Sequence, residues 1–366
     1  MTPRVALDVG SLHGPQTGVG QFVTRLLDGL AALDDPPEVL PYVLSFRAEL
    51  RPGVRRLRYP AGAALRAWGH FDLPRADRAL ADADVVHGPN YIVPPSRLPT
   101  VVSVHDCWFL QQHREVSGAV RHFGAVLRRA VHRGVTVHVP SQHTARQVRE
   151  LLGADRVAVV PLGSPTVLPP GAPVHLAGLE GRPYVLALGA KEPRKNLPRL
   201  VDAFGLLQRM LPELALVLLG PDGPDQPAID DAIGRLPRSI AERILLVDYV
   251  SDEDRNAILH GASALAYPSL DEGFGFPALE AMAAGVPVMA ADAGSLPEIC
   301  GEAAVLVNPR NPSAMAAGLH RIITDSTVSA ELVALGHERT EHFSLARSAA
   351  GMDALYRALA MEGPAR

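Results

Sequence analysis

Two glutamates eight positions apart, the glycines between them and a pair of cations upstream are the groups in this chain with the most specific chemistry. Glu272 and Glu280 bound the stretch Glu272-Gly-Phe-Gly-Phe-Pro-Ala-Leu-Glu280, which follows the apolar run Ala264–Tyr267. That run reads as a strand end, Pro277 as the opening of a helix and Gly285 as its stop. Backbone N–H groups at a helix mouth make an anion seat. Gly273 and Gly275 lack Cβ, so a ligand can lie directly on the main chain. Carboxylates repel phosphate, so the two glutamates must accept hydrogen bonds from something neutral, and sugar hydroxyls fit. A single loop glutamate is most often a solvated surface group. The pair in this glycine frame points instead to a diphosphate flanked by the hydroxyls of a ribose and a hexose. Arg194 and Lys195, in Pro193-Arg-Lys-Asn196, supply the opposite charge as a planar fork and a mobile ammonium. Arginine dominates elsewhere, and Lys191 and Lys195 are the only lysines among 35 basic residues.

The stretch Glu272–Glu280, continued by Ala-Met-Ala-Ala-Gly-Val-Pro-Val288, resembles the signature of retaining glycosyltransferases of family 4, which have the GT-B architecture. The resemblance implies an α/β fold of two Rossmann-like domains whose parallel sheets face each other across a cleft that holds the donor. It implies that Glu272 contacts hydroxyls of the transferred sugar, that Glu280 holds the ribose, and that Arg194 and Lys195 bind the donor phosphates. Gly273, Phe274, Gly275, Phe276 and Leu279 then line the donor site. Many members carry an arginine directly after the strand glycine, where this chain has Ala190. Thr17-Gly-Val-Gly20 matches the family's Thr-Gly-(Val/Ile)-Gly, whose first glycine approaches the diphosphate, so Gly18 and Gly20 join the donor set. His105-Asp106 resembles the position where a histidine lies near the transferred sugar and acceptor. Asp106 either orients His105 or caps the next segment. Main-chain groups near Tyr249 and Val250 are implied to read the donor base.

The elements that must position these groups alternate. Arg4–Val9 reads as a strand, followed by a glycine turn and a helix whose stripe is Val19, Phe22, Val23, Leu26, Leu27, Leu30 and Leu33. The spacing is not the dinucleotide fingerprint, which argues against a nicotinamide cofactor. Further strands are expected at Val39–Phe46, Val85–His87, Thr100–Val104, Thr136–Val139 and Val157–Gly163, with helices between several of them. Such alternation means a parallel sheet covered on both faces. Ligands of such sheets sit at the carboxyl ends of strands, where Asn90, His105 and Ser141 fall. The proline- and glycine-rich stretch 166–183 reads as a linker between a first domain, 1–165, and a second, 184–344. The second repeats the pattern at Tyr184–Leu188, Leu214–Leu219, Ile244–Val247 and Ala264–Tyr267. A last helical pattern begins at Leu345, and the resemblance implies that 345–366 packs back on the first domain.

Composition bounds the rest. A chain of 366 residues, 47% hydrophobic, supports two cored domains. No run nears the ~18 apolar residues of a membrane span, and the N-terminus does not read as a signal peptide. Cys107 and Cys300, far apart, argue for a reducing, cytoplasmic setting without a disulfide framework. Residues 1–165 carry nineteen arginines against fourteen acids, whereas the remainder carries sixteen cations against twenty-five acids. That balance reads either as a basic first domain facing an anionic membrane or as a preference for arginine throughout. The basic helix expected over 114–133 carries the same two readings, an ordinary surface helix or a membrane contact. The partners expected are a nucleotide-sugar donor and a hydroxyl acceptor, with no nucleic acid, no cofactor and no metal; Asp252-Glu-Asp254 reads as helix capping. The resulting expectation is a retaining hexosyltransferase, with resemblance to mannosyltransferase-like members favouring GDP-mannose. A nucleotide-sugar epimerase and a non-catalytic nucleotide-sugar-binding protein are the alternatives.

Overall fold

The computed structural model describes residues 2–13, 18–45, 50, 52–111, 118–164, 176, 179 and 181–363. The chain forms two units, Met1–Gly163 with Phe343–Arg366, and Ser164–His342. Most of the proline-rich stretch 166–183 lies outside the described residues.

Among the described residues the first unit has seven strands: β1 (Arg4–Asp8), β2 (Glu38–Leu44), β3 (Arg55–Leu57), β4 (Val85–Gly88), β5 (Thr100–Ser103), β6 (Thr136–Val139) and β7 (Val157–Val159). They lie in the order β3-β2-β1-β4-β5-β6-β7, all parallel. The three strands β4 to β6 are buried along their whole length, as a sheet covered on both faces requires. The helix Gly18–Ala31 buries Phe22, Val23, Leu26 and Leu30 of the expected stripe, while Val19 and Leu27 are half-buried and Leu33 lies past its end. One expectation is corrected here. Gly18 and Gly20 do not form a turn ahead of that helix but belong to its first turn; Thr17 lies outside the described residues. Between β2 and β4 lie the short strand β3 and a helix, Ala61–Trp68, that begins after Pro60.

The basic helix spans Gly118–His132, with Arg114 and Val116 outside the described residues. Arg128 donates to the Leu151 carbonyl at 2.5 Å, and Arg129 and Arg133 both pair with Asp72, at 3.0 and 3.2 Å. These three cations are engaged inside the unit. The last helix, Leu345–Glu362, lies against the helix Gly18–Ala31, where a Cβ on Gly29 would stand 2.9 Å from that of Ala349. Tyr356 ties it to the sheet: its hydroxyl and Nδ1 of His87 are 2.7 Å apart.

The second unit has six strands among the described residues: β8 (Tyr184–Leu188), β9 (Ala215–Leu219), β10 (Ile244–Val247), β11 (Ala264–Tyr267), β12 (Val288–Ala291) and β13 (Ala304–Val307). Their order is β10-β9-β8-β11-β12-β13, again all parallel. Its core joins Leu200, Val201 and Phe204 of the helix Leu197–Leu207 to Leu216 and Leu218 of β9 and to Met315 and Leu319 beyond β13. In both sheets the strand order reverses once, between β1 and β4 and between β8 and β11. At such a switch point the following loops diverge and leave a crevice at the strands' carboxyl ends.

Candidate active site

The switch point of the second unit carries the charged cluster. After β8 the chain turns at Gly189, φ +132°, where a Cβ would lie 3.2 Å from Cε of Lys195. A short 3₁₀ turn, Pro193–Lys195, presents both cations, and Asn196 closes it in the left-handed region at φ +59°. The Asn196 amide donates to the carbonyls of Pro268 (3.0 Å) and Pro309 (2.7 Å), and the Leu270 N–H donates to the Arg194 carbonyl at 2.7 Å. The loops after β8 and β11 are thereby stitched together.

Glu272 sits between the cations. Arg194 Nη1 donates to its Oε2 and Lys195 Nζ to its Oε1, both at 2.6 Å. Arg194 also donates from Nε to Glu192 at 2.8 Å, and Lys195 Nζ lies 3.3 Å from the Tyr267 hydroxyl. Glu272 is 7% exposed and Lys195 8%. The Glu272 backbone is fixed by the neighbouring loop. Ser295 N–H donates to its carbonyl at 3.0 Å, and Ser295 Oγ donates to the Phe274 carbonyl at 2.8 Å. Gly294, at φ +63°, admits this contact, since a Cβ there would stand 2.6 Å from the Glu272 nitrogen.

Burial pushes the Glu272 carboxyl up, but Arg194 and Lys195 outweigh it and bring the group down to about 2. Burial pulls Lys195 down and Arg194 adds to this, against the attraction of Glu272. A folded-state value near 2 against an ordinary 4.5 means that the carboxylate's stabilisation is complete above about 4.5 and is lost as pH falls towards 2. Urea unfolding of the wild type and Glu272→Gln between pH 6 and pH 2.5 is expected to show a stability gap that shrinks as the pH falls. A gap independent of pH would contradict the ion-pair geometry.

The helix after this loop spans Phe276–Ala283, with Pro277 in its first turn and Gly275 (φ +121°) as its cap. Gly285, φ +70°, follows its end. The expectation of open main-chain donors at this mouth is corrected in part. Pro277 has no N–H, and the N–H groups of Ala278 and Leu279 both turn back to the Gly275 carbonyl. Leu279 is fully buried and Phe274 nearly so, its ring edge-on to Phe276 at 5.3 Å. Glu280, also buried, accepts a hydrogen bond from Arg255 of the helix Asp252–His260. Ser251 caps that helix by accepting from the Asp254 N–H at 3.0 Å. Tyr249 and Val250 lie on the loop just before it, with Tyr249 84% exposed. Lys191 belongs elsewhere: fully buried, its Nζ donates to the Gly220 carbonyl (2.9 Å) and to Asp222 (2.7 Å).

In the first unit His105 follows β5. Its ring packs edge-on against Phe22 at 5.0 Å and Tyr91 at 5.7 Å. Nε2 lies 2.8 Å from the Pro89 carbonyl, so that nitrogen carries the proton and Nδ1 is an acceptor. Burial lowers the His105 pKa against the pull of that carbonyl, which keeps the ring neutral. Asp106 accepts from the Trp108 N–H at 3.1 Å, which is the capping alternative, and the partner that orients His105 is a carbonyl. Asn90 is half-buried on the loop after β4. A Cβ on Gly18 would meet nothing within 4 Å, so packing inside the unit does not demand glycine there. Among the described residues no three of His, Cys, Asp and Glu are grouped to hold a metal ion, and no helix is long and apolar enough to cross a membrane.

Sequence reasoning missed Tyr267, Asn196, Ser295 and Arg255. Asn196 stood in a motif already quoted, but its role, like that of Ser295, is to hold backbone, which residue type does not announce. Arg255 follows the capping run Asp252-Glu-Asp254, and nothing in its spacing links it to Glu280.

Two Rossmann-like units with their charged loops at a switch point define the GT-B class. Residues 16–166 match the model described as Glycosyltransferase Family 4, and residues 176–339 the model described as Glycosyl transferases group 1. MMP alpha-(1->4)-mannosyltransferase of Mycolicibacterium hassiacum is 31% identical over 318 residues, covering 77% of this chain and 73% of that protein. O-antigen chain mannosyltransferase B of Escherichia coli is 29% identical over 272 residues, covering 71% and 70%. Among solved structures, sucrose-phosphate synthase of Thermosynechococcus elongatus superposes with a TM-score of 0.76 at 20% identity, covering 99% of this chain and all of that one. The chain belongs to glycosyltransferase family 4, in its mannosyltransferase-like group, and is a glycosyltransferase.

Proposed function

We propose that the protein transfers a hexose, with retention of anomeric configuration, from a nucleotide-diphosphate sugar to a hydroxyl of a glycan, lipid or small molecule, and that GDP-mannose is the donor. The observation that carries this reading is Glu272 clamped between Arg194 and Lys195 at a switch point. One carboxylate and two cations in a nearly water-free loop suit a ligand with a diphosphate next to neutral hydroxyls. The names of the relatives support mannose as the sugar.

In this reading Arg194 and Lys195 neutralise the diphosphate as the bond from C1 of the sugar to the phosphate oxygen breaks and its electron pair leaves with the phosphate. The acceptor oxygen bonds to C1 on the same face, and its proton passes to the departing phosphate oxygen. Glu272 accepts hydrogen bonds from hydroxyls of the transferred sugar, while Glu280, held by Arg255, accepts those of the ribose. The loop Tyr249–Val250 borders the base. His105, neutral and with Nδ1 as its acceptor, takes a hydroxyl of the sugar or acceptor. No metal or other cofactor enters, because the fixed cations carry the charge. The buried free thiols of Cys107 and Cys300 support a reducing compartment.

Thermal-shift screening against UDP-, GDP-, ADP- and dTDP-sugars, followed by proton NMR of the products, tests the reading. GDP-mannose is expected to give the largest shift, with free GDP and an α-mannoside as products. An isomerised sugar nucleotide, or a product of inverted configuration, would overturn it.

A further inference from the structure

The crevice at the switch point of the first unit holds a second carboxylate that the reading above leaves idle. Asp8 closes β1, and Tyr42 stands opposite it in the register of β2. In parallel strands such partners project from the same face. On the other side of β1, Leu7 pairs with His87, so β4 ends beside Asp8 at Gly88. A Cβ on Gly88 would lie 1.8 Å from the Ile92 carbonyl, so the loop carrying Asn90 folds tightly over that strand end. Asp8, Asn90 and His105 thus stand at or just past the carboxyl ends of three adjacent strands, β1, β4 and β5, with Tyr42 beside Asp8 two residues inside the end of β2.

The polar groups of this pair are not satisfied internally. Asp8 is half-buried, and the one hydrogen bond its carboxylate accepts among the described residues comes from the Gly10 N–H, at 2.7 Å to Oδ1. Oδ2 is left over. The Tyr42 hydroxyl is wholly buried and has no hydrogen-bond partner among the described residues, which is unfavourable unless a ligand supplies one. The two groups feel each other. Burial raises Tyr42 well above its ordinary value and the Asp8 charge raises it further, while burial lifts the Asp8 carboxyl to about 6 against the Gly10 N–H. A carboxylate repels an anionic ligand, and a phenol can both donate and accept. The matching partner is a neutral group that donates to one and pairs with the other, which is a sugar hydroxyl.

We propose that Asp8 and Tyr42 form an acceptor subsite at the carboxyl edge of the first sheet, with Asp8 Oδ2 accepting the hydrogen bond of a neutral sugar hydroxyl and the Tyr42 hydroxyl pairing with that same hydroxyl or its neighbour. The proposal rests on the transferase reading above but concerns a different ligand. Asp8→Asn keeps the shape and the acceptor for Gly10 while removing the charge, and Tyr42→Phe removes the hydroxyl alone. With GDP-mannose as donor and methyl α-D-mannopyranoside as the acceptor probe, Asp8→Asn is expected to raise the acceptor KM by about 10- to 100-fold, as loss of a hydrogen bond to a charged group implies. The donor KM and the GDP affinity are expected to hold, and Tyr42→Phe is expected to raise the acceptor KM by a smaller factor.

Equal losses on donor and acceptor KM in Asp8→Asn would make Asp8 structural and overturn the proposal. A Tyr42→Phe protein with a raised Tm and an unchanged acceptor KM would remove the hydroxyl from the subsite. The ¹³C resonance of the Asp8 carboxyl is expected to shift when the glycoside is added to the wild type. No shift, together with no transfer to the glycoside, would refute a sugar-hydroxyl subsite even if GDP-mannose binds and is cleaved, whereas failure to bind any nucleotide sugar would refute the transferase reading itself.

Discussion

Glu272→Gln is expected to lower turnover by about 10²- to 10³-fold, the range seen when one preorganised polar contact to a transition state is removed. The affinity for the nucleoside diphosphate is expected to stay level or to rise. The second half of this expectation comes from the geometry. Both carboxylate oxygens of Glu272 are engaged at 2.6 Å, one by the buried Lys195 and one by the partly buried Arg194. Without the charge, Arg194 keeps Glu192 at 2.8 Å, while Lys195 keeps the Tyr267 hydroxyl and no carboxylate within hydrogen-bonding reach. The cluster then offers surplus positive charge to a diphosphate. The same substitution strips a buried ion cluster of its acid, which destabilises by about 3–5 kcal/mol where a buried pair is broken. Assays therefore belong well below the variant's Tm. Calorimetric titration with GDP beside steady-state turnover separates the effects. Unchanged turnover would remove Glu272 from the chemistry, and a parallel collapse of turnover and GDP affinity would make it a structural residue.

Lys195→Ala is expected to weaken GDP binding by about 10- to 100-fold, as loss of a charge-assisted contact implies, and to leave guanosine binding nearly unchanged. Equal loss for the nucleotide and the nucleoside would count against phosphate contact. The variant also leaves Glu272 with Arg194 alone inside a buried loop, so its Tm is expected to fall. The double variant Glu272→Gln with Lys195→Met restores charge balance and is expected to recover part of that stability. This non-additivity measures the coupling between the two residues. Lys191 is the contrast. Committed to Gly220 and Asp222, it is expected to affect stability when replaced, and GDP affinity much less.

Periodicity and punctuation in the sequence carried the secondary structure a long way. Tyr184–Leu188 and Ala264–Tyr267 are strands over the spans their apolar runs suggest, because a strand buried on both faces must be apolar throughout; Thr136–Val139 and the half-exposed edge strand Ile244–Val247 also keep their expected spans. Errors fell where local signals conflict with packing. The glycines at 18 and 20 suggest a turn, yet the helix that packs Phe22 and Leu26 into the core extends through them. The three-residue edge strand Arg55–Leu57 was not expected, being too short to show a period.

The candidate site divides in the same way. Residue type and spacing alone singled out Glu272, Glu280, Arg194 and Lys195. A carboxylate pair in a glycine frame and an adjacent arginine and lysine in a chain with only two lysines suit few chemistries besides the binding of phosphates and hydroxyls. Which group faces which was a matter for the tertiary structure. Arg194 and Lys195 precede Glu272 by 78 and 77 positions, and only the reversal of strand order between β8 and β11 brings their loops together. Arg255 beside Glu280, the carbonyl that sets the proton on His105, and the open carboxylate oxygen of Asp8 opposite Tyr42 are likewise products of sheet order and register. Local sequence encodes which chemical groups a chain carries and what elements they ride on, whereas contacts between distant segments arise only when the whole core packs and selects one topology.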